Sequence, residues 1–214
     1  MNRLFTQWSS EIKRHKKRIA ISILFLFIAF ILYAGSGDYV TDNQGSVVSP
    51  DLILDHFGPY DLSILYVWLF VAVISTFFIY PIIWKPHELA YVINMFSFFL
   101  IIRSGFIVFT HLRVPYDAVI VVFPGFLQIL NFSNDLFFSG RAGLPFLGFL
   151  IFKASHKWLA YFMLISSIIL GITVLLMHVH YSIDVLSAFF ITYTLYHIGN
   201  KFIKKESFIP PTRI

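Results

Sequence analysis

The chain contains no cysteine. That excludes a disulfide framework, a thiolate metal site and a thiol nucleophile, and it leaves any chemistry to His, Asp and Arg. Charge is scarce as well: Asp, Glu, Lys and Arg make up 13% of the 214 residues, against roughly 25% in a soluble domain. In their place stand 58% hydrophobic residues, 26 of them Phe, and the mean hydropathy is +0.79. Such a chain is an integral membrane protein, with its Phe side chains facing lipid or packing between helices. The net charge of +5 is expected in segments flanking the membrane on the cytosolic side, and no nucleic-acid motif accompanies it, so no nucleic-acid partner is expected.

Metal ligands are also missing in any usable pattern. Asp38, Asp42, Asp51 and Asp55 lack the spacing and closing Glu of a calcium loop, and read as a solvated loop. His111, His178 and His180 supply no two-on-one-helix ligand pair. Neither a metal nor another cofactor is implied.

What the sequence does contain is a series of long apolar runs. A basic amino end, residues 1–18, precedes a first run read as an uncleaved span over about 19–34, because no small-residue cleavage site follows it. Leu4, Phe5, Trp8 and Ile12 suit a short interfacial helix ahead of it. From Gly35 to Asp61 the chain is polar, carries five aspartates and no Lys or Arg, and reads as an exposed loop. Further spans are expected at about 62–84, 89–109, 136–152, 158–177 and 185–199, with residues 110–135 re-entrant or interfacial and 201–214 a basic tail. The fold class is therefore all-α: a single polytopic domain, residues 19–200, of six transmembrane helices.

Charge orients this frame. With the amino end inside, all but Arg103, Arg113 and Arg141 of the 16 Lys and Arg fall on the cytosolic side, whereas every Asp falls outside. That distribution follows the positive-inside rule and predicts both termini cytosolic. It also gathers Arg103, Asp135, Arg141, His180 and Asp184 at the non-cytosolic end of the third to sixth spans. Ionisable groups at membrane depth mark functional sites by default.

Within His178-Val-His180-Tyr-Ser-Ile-Asp184, a helical conformation places His180 and Asp184 on one face, so that the carboxylate holds one ring nitrogen and leaves the other free. Guanidinium groups bind phosphate oxygens bidentately, and an oriented His attacks phosphorus to give a phosphohistidine. The paired segments Asp135-Leu-Phe-Phe-Ser139-Gly140 and His180-Tyr181-Ser-Ile-Asp184-Val185 carry a family resemblance. They resemble the motifs of the type 2 phosphatidic acid phosphatase superfamily, most closely its sphingomyelin synthase branch. Arg103-Ser104 with Thr110-His111-Leu112 and Pro115, and Pro50-Asp51 with Asp55, are similar to two earlier motifs of that branch.

The resemblance implies a nucleophile at His180, an orienting carboxylate at Asp184, and a phospholipid head group handled by Arg103, His111, Asp135, Ser139, Gly140, Arg141 and Tyr181. A lipid alcohol or water would accept the phosphoryl group. In that branch a His follows Ser-Gly directly and protonates the leaving oxygen. Here Arg141 stands in its place, and a guanidinium is a poor acid. Three readings stay open: another donor, with His111, His178 and Asp135 the candidates; a leaving group that needs only positive charge; or a catalytically impaired protein that binds a lipid head group. The small size and sparse loops suit a bacterial plasma membrane, and nothing in the sequence specifies an oligomeric state. If the site is a decayed one, Arg141→His raises lipid-phosphate turnover by about 10²–10⁴-fold in a phosphate-release assay, whereas unchanged turnover counts against decay.

Overall fold

A computed structural model describes residues 2–42, 48–110, 112–121, 123, 125 and 136–203. It consists of six α-helices: α1 Asn2–Asp42, α2 Ser63–Trp84, α3 Leu89–Phe109, α4 Gly140–Phe152, α5 Lys157–Leu176 and α6 Ser182–Phe202. Short 3₁₀ turns occupy Leu54–His56 and Pro86–Glu88, and no strand occurs among the described residues. Among the described residues, four helical stretches are long and apolar enough to cross a membrane: Trp8–Asp42, Ser63–Trp84, Pro86–Phe109 and Lys157–Leu176. They mark the chain as an integral membrane protein.

Local sequence explains where the helices stop. Lys85 precedes Pro86 and takes φ −138°, as a residue before proline is disposed to do, which ends α2. α5 closes on a Schellman motif, in which the His178 amide donates to the Leu175 carbonyl and the Val179 amide to that of Val174. The left-handed position of that motif, usually glycine, is His178 at φ 55°.

Two elements differ from expectation. α1 runs unbroken through Gly35–Asp42 instead of yielding to a loop there, and is about 60 Å long. No proline interrupts it, Ser36 and Val40 are buried, and Ser36 and Thr41 return their hydroxyls to the Tyr33 and Gly37 carbonyls. α4 has only 13 residues, because the chain is not helical over Leu136–Ser139. Its length of about 20 Å falls short of a hydrocarbon core of about 30 Å.

α1 lies along α3, while α4 packs against both α5 and α6. Aromatic edges fill the centre: Phe77 meets Phe78, Phe96 and Phe152 at ring-centroid distances of 5.3 to 5.9 Å. The outward faces of α5 and α6 carry Ile165, Ile172, Leu186 and Phe190. α4 approaches its neighbours closely through glycine. A Cβ at Gly143 would lie 3.0 Å from Thr192 Oγ1 and 3.1 Å from the Phe99 ring. Gly143→Val therefore overpacks the junction of α3, α4 and α6, and is expected to cost about 1–3 kcal/mol, read as a lower unfolding midpoint in detergent.

Candidate functional site

The first turn of α6 organises the site. Tyr181 is its N-cap residue in an extended conformation, and Asp184 its third helical residue. The Asp184 carboxylate is fully buried, and its Oδ2 accepts the Tyr181 amide at 3.0 Å. The same Oδ2 lies 3.4 Å from His180 Nδ1, a long contact of a kind that often tightens when substrate binds. His180 precedes the helix, so it does not share a helical face with Asp184 as its spacing suggests. Asp184 reaches back to it because the N-terminal turn leaves amides for a carboxylate to bind.

From the same residue the Asp184 carbonyl accepts the Ser139 amide at 3.0 Å, which joins the start of α4 to the start of α6. Both helix N-termini thereby converge, and their dipoles favour an anion between them.

A loop carboxylate completes the anchor. Asp51 Oδ2 accepts the Ser182 amide and Oδ1 the Ser182 hydroxyl, each at 2.6 Å, and Oδ1 also accepts the amides of Ile53 and Leu54. Asp51 is thus no merely solvated loop residue. Burial raises its pKa, but the hydrogen bonds from Ser182, Ile53 and Leu54 outweigh that and hold it below the ordinary 3.8.

His180, Arg103, Gly140 and Arg141 wall a single cavity of about 250 Å³. Away from them its lining is apolar, with Leu26, Phe30, Ile74, Phe78, Phe96 and Leu144 among the residues that form it. Arg103 is 3% exposed and does not snorkel to the interface. Its Nε donates to the Phe138 carbonyl at 2.9 Å and its Nη1 to the Tyr33 hydroxyl. Gly140 makes room for it: a Cβ there would stand 3.0 Å from Arg103 Nε. Arg141, 7% exposed, donates from Nε to the Tyr66 hydroxyl at 2.8 Å and stacks over the Phe70 ring at 3.9 Å.

Five of the expected site residues thus come together: Arg103, Gly140, Arg141 and His180 at the cavity, and Asp184 behind His180. Ser139 is buried, with no hydrogen-bond partner for its hydroxyl among the described residues. Tyr181 borders a different cavity, and its hydroxyl donates to the Arg113 carbonyl at 2.7 Å. Asp135 and His111 lie outside the described residues. His178 borders that other cavity rather than the one shared by His180 and Arg141. Tyr33, Tyr66 and Asp51 are not expected as site residues from the sequence. Of these only Asp51 left a signal there, in the Pro50-Asp51 motif.

Residues 133–201, which take in α4, α5 and nearly all of α6, match the family model described as PAP2 superfamily C-terminal. The match covers about a third of the chain, and over those residues the chain is similar to that superfamily. No curated protein and no solved structure gives a match.

Asp51→Ala removes the anchor of α6 and is expected to destabilise the protein by about 1–2 kcal/mol at pH 7. Because the folded pKa of Asp51 is depressed, its contribution is complete above the ordinary 3.8 and disappears as pH falls through the lower folded value. The difference in unfolding midpoint between variant and wild type should narrow accordingly over that acid range.

Proposed function

We propose that the protein is a membrane lipid phosphotransferase or lipid phosphate phosphatase resembling the sphingomyelin synthase branch. It would have six spans, both termini in the cytosol and the site at the non-cytosolic face. The observation that carries this reading is the shared cavity, in which two guanidinium groups and an imidazole line an otherwise largely apolar space. Such a space accepts a phosphorylated head group at one end and hydrocarbon along the rest.

His180 Nε2 attacks the phosphorus while Nδ1–H is held by Asp184. The phosphorus–oxygen bond to the leaving group breaks as the nitrogen–phosphorus bond forms, and Arg103 and Arg141 carry the charge on the phosphoryl oxygens. The oxygen of a lipid alcohol or water then attacks the phosphorus, the nitrogen–phosphorus bond breaks to restore the imidazole, and the acceptor's hydroxyl proton is released to water. The departing oxygen leaves beside Arg141, whose charge serves a leaving group as stable as a pyrophosphate without proton transfer. A poorer leaving group needs a proton donor, for which the candidates are His111 and Asp135, both outside the described residues.

A second reading, a catalytically impaired protein that binds a lipid head group, is favoured by one observation. Arg141 stands where an acid is needed, and stacks on Phe70 with its Nε on Tyr66.

The two readings part on a single experiment. In an active enzyme, brief incubation with a ³²P-labelled lipid phosphate leaves acid-labile, base-stable label on the protein, and His180→Ala abolishes both label and turnover. Turnover that survives His180→Ala contradicts the mechanism, and the absence of label and turnover in the wild type supports the head-group binder.

A further inference from the structure

On three helices the lining of the His180 cavity extends away from its guanidinium groups by nearly the same distance. On α3 Phe96 stands two turns before Arg103, and on α1 Leu26 stands two turns before Tyr33, whose hydroxyl Arg103 bonds; each interval is about 10 Å. On α2 the interval from Phe70, on which Arg141 stacks, to Phe78 is about 12 Å. All three lead to the same end of the bundle. α2 and α3 meet there through the turn at Pro86–Glu88, and α1 reaches it with the Ser22 hydroxyl on the Ala90 carbonyl.

At that depth rings from the three helices come together. Phe96 meets Phe78 edge-on with centroids 5.1 Å apart and Phe30 at 6.2 Å, and fully buried Phe77 backs both Phe78 and Phe96. They close the cavity with an aromatic floor. Between this floor and the guanidinium groups the described lining includes Ile74, Phe99, Leu100 and Leu144 and offers no hydrogen-bonding side chain, so a hydrocarbon is favoured there and a polar chain is not. The volume of about 250 Å³ lies below the ~300–1,000 Å³ of sites for drug-sized ligands, which leaves room for one chain.

We propose that the cavity selects its lipid phosphate by the length of a single hydrocarbon chain, with Phe78 and Phe96 as the stop. The proposal rests on the reading of Arg103, Arg141 and His180 as the phosphate site. With the phosphate there, about 10–12 Å remain for the chain, less than the ~15 Å that one leaflet contributes to a core of ~30 Å, so a chain of about ten carbons fills the space. Each methylene buried short of the floor strengthens binding about fourfold, and each one beyond it adds nothing.

The test uses the full chain in phosphatidylcholine nanodiscs and isothermal titration with n-alkyl phosphates from hexyl to hexadecyl, each corrected against empty discs, with decanol as the ligand that lacks the head group. Wild-type affinity is expected to climb with chain length and to level off near decyl. Phe78→Ala lowers the floor and should strengthen binding of tetradecyl phosphate about tenfold, the worth of roughly two further buried methylenes, while hexyl phosphate binds as before. Ile74→Trp, one turn nearer to Phe70, raises the floor and should weaken decyl phosphate by a similar factor. If one variant does not fold, the other decides. A wild-type series that climbs without a break, or a variant that changes binding equally at every chain length, overturns the proposal and leaves the phosphate site standing. Decanol that binds as tightly as decyl phosphate overturns both.

Discussion

The carboxylate of Asp184 is the group on which the remaining structure depends. A fully buried carboxylate is costly unless it is hydrogen-bonded, and here it gains the Tyr181 amide at the first turn of α6, where unpaired amides and the helix dipole both favour negative charge. The same residue sets the position of His180 through Oδ2 and, through its carbonyl, that of Ser139 at the start of α4. One side chain and one backbone oxygen thus bring together segments more than forty positions apart. Asp51 holds the next residues of that turn from outside, so the imidazole is fixed by a helix terminus braced from two directions.

Arg103 and Arg141 pose the complementary problem of positive charge in an apolar setting. Each is solved with an aromatic partner: Arg103 with Tyr33, Arg141 with Tyr66 and Phe70. Ring faces stabilise a guanidinium without neutralising it, and tyrosine hydroxyls accept its hydrogen bonds while carrying no charge. Gly140 contributes by lacking a side chain, which lets Arg103 approach the start of α4. The mixed lining of the cavity, charged groups among apolar ones, follows from these placements.

Much of this was legible in the sequence. α2, α3 and α5 lie within a residue of their expected bounds, because long apolar runs bounded by polar turns leave little choice of end. Counting spans and charges leads to the expectation of Arg103, Asp135, Arg141, His180 and Asp184 at one face; of these, Arg103, Arg141 and His180 border one cavity with Asp184 behind His180, and Asp135 lies outside the described residues. Features set by tertiary contacts were not legible. The helical course of Gly35–Asp42 depends on burial of Ser36 and Val40 that the polar composition conceals, and α4 begins late because Ser139 pairs with Asp184 on another helix. The Tyr33 and Tyr66 partnerships join positions 70 and 75 residues apart, a kind of pairing that no local pattern encodes.

The central claim is that His180, Arg103 and Arg141 address one phosphorus. The most direct test is a structure of the full chain with orthovanadate, which mimics the trigonal phosphoryl group in transit. The account predicts vanadium bonded to His180 Nε2, with oxygens within hydrogen-bond distance of both guanidinium groups and Asp184 closer than 3.4 Å to Nδ1. Vanadate bound away from His180, or bound there out of reach of both Arg103 and Arg141, would contradict it.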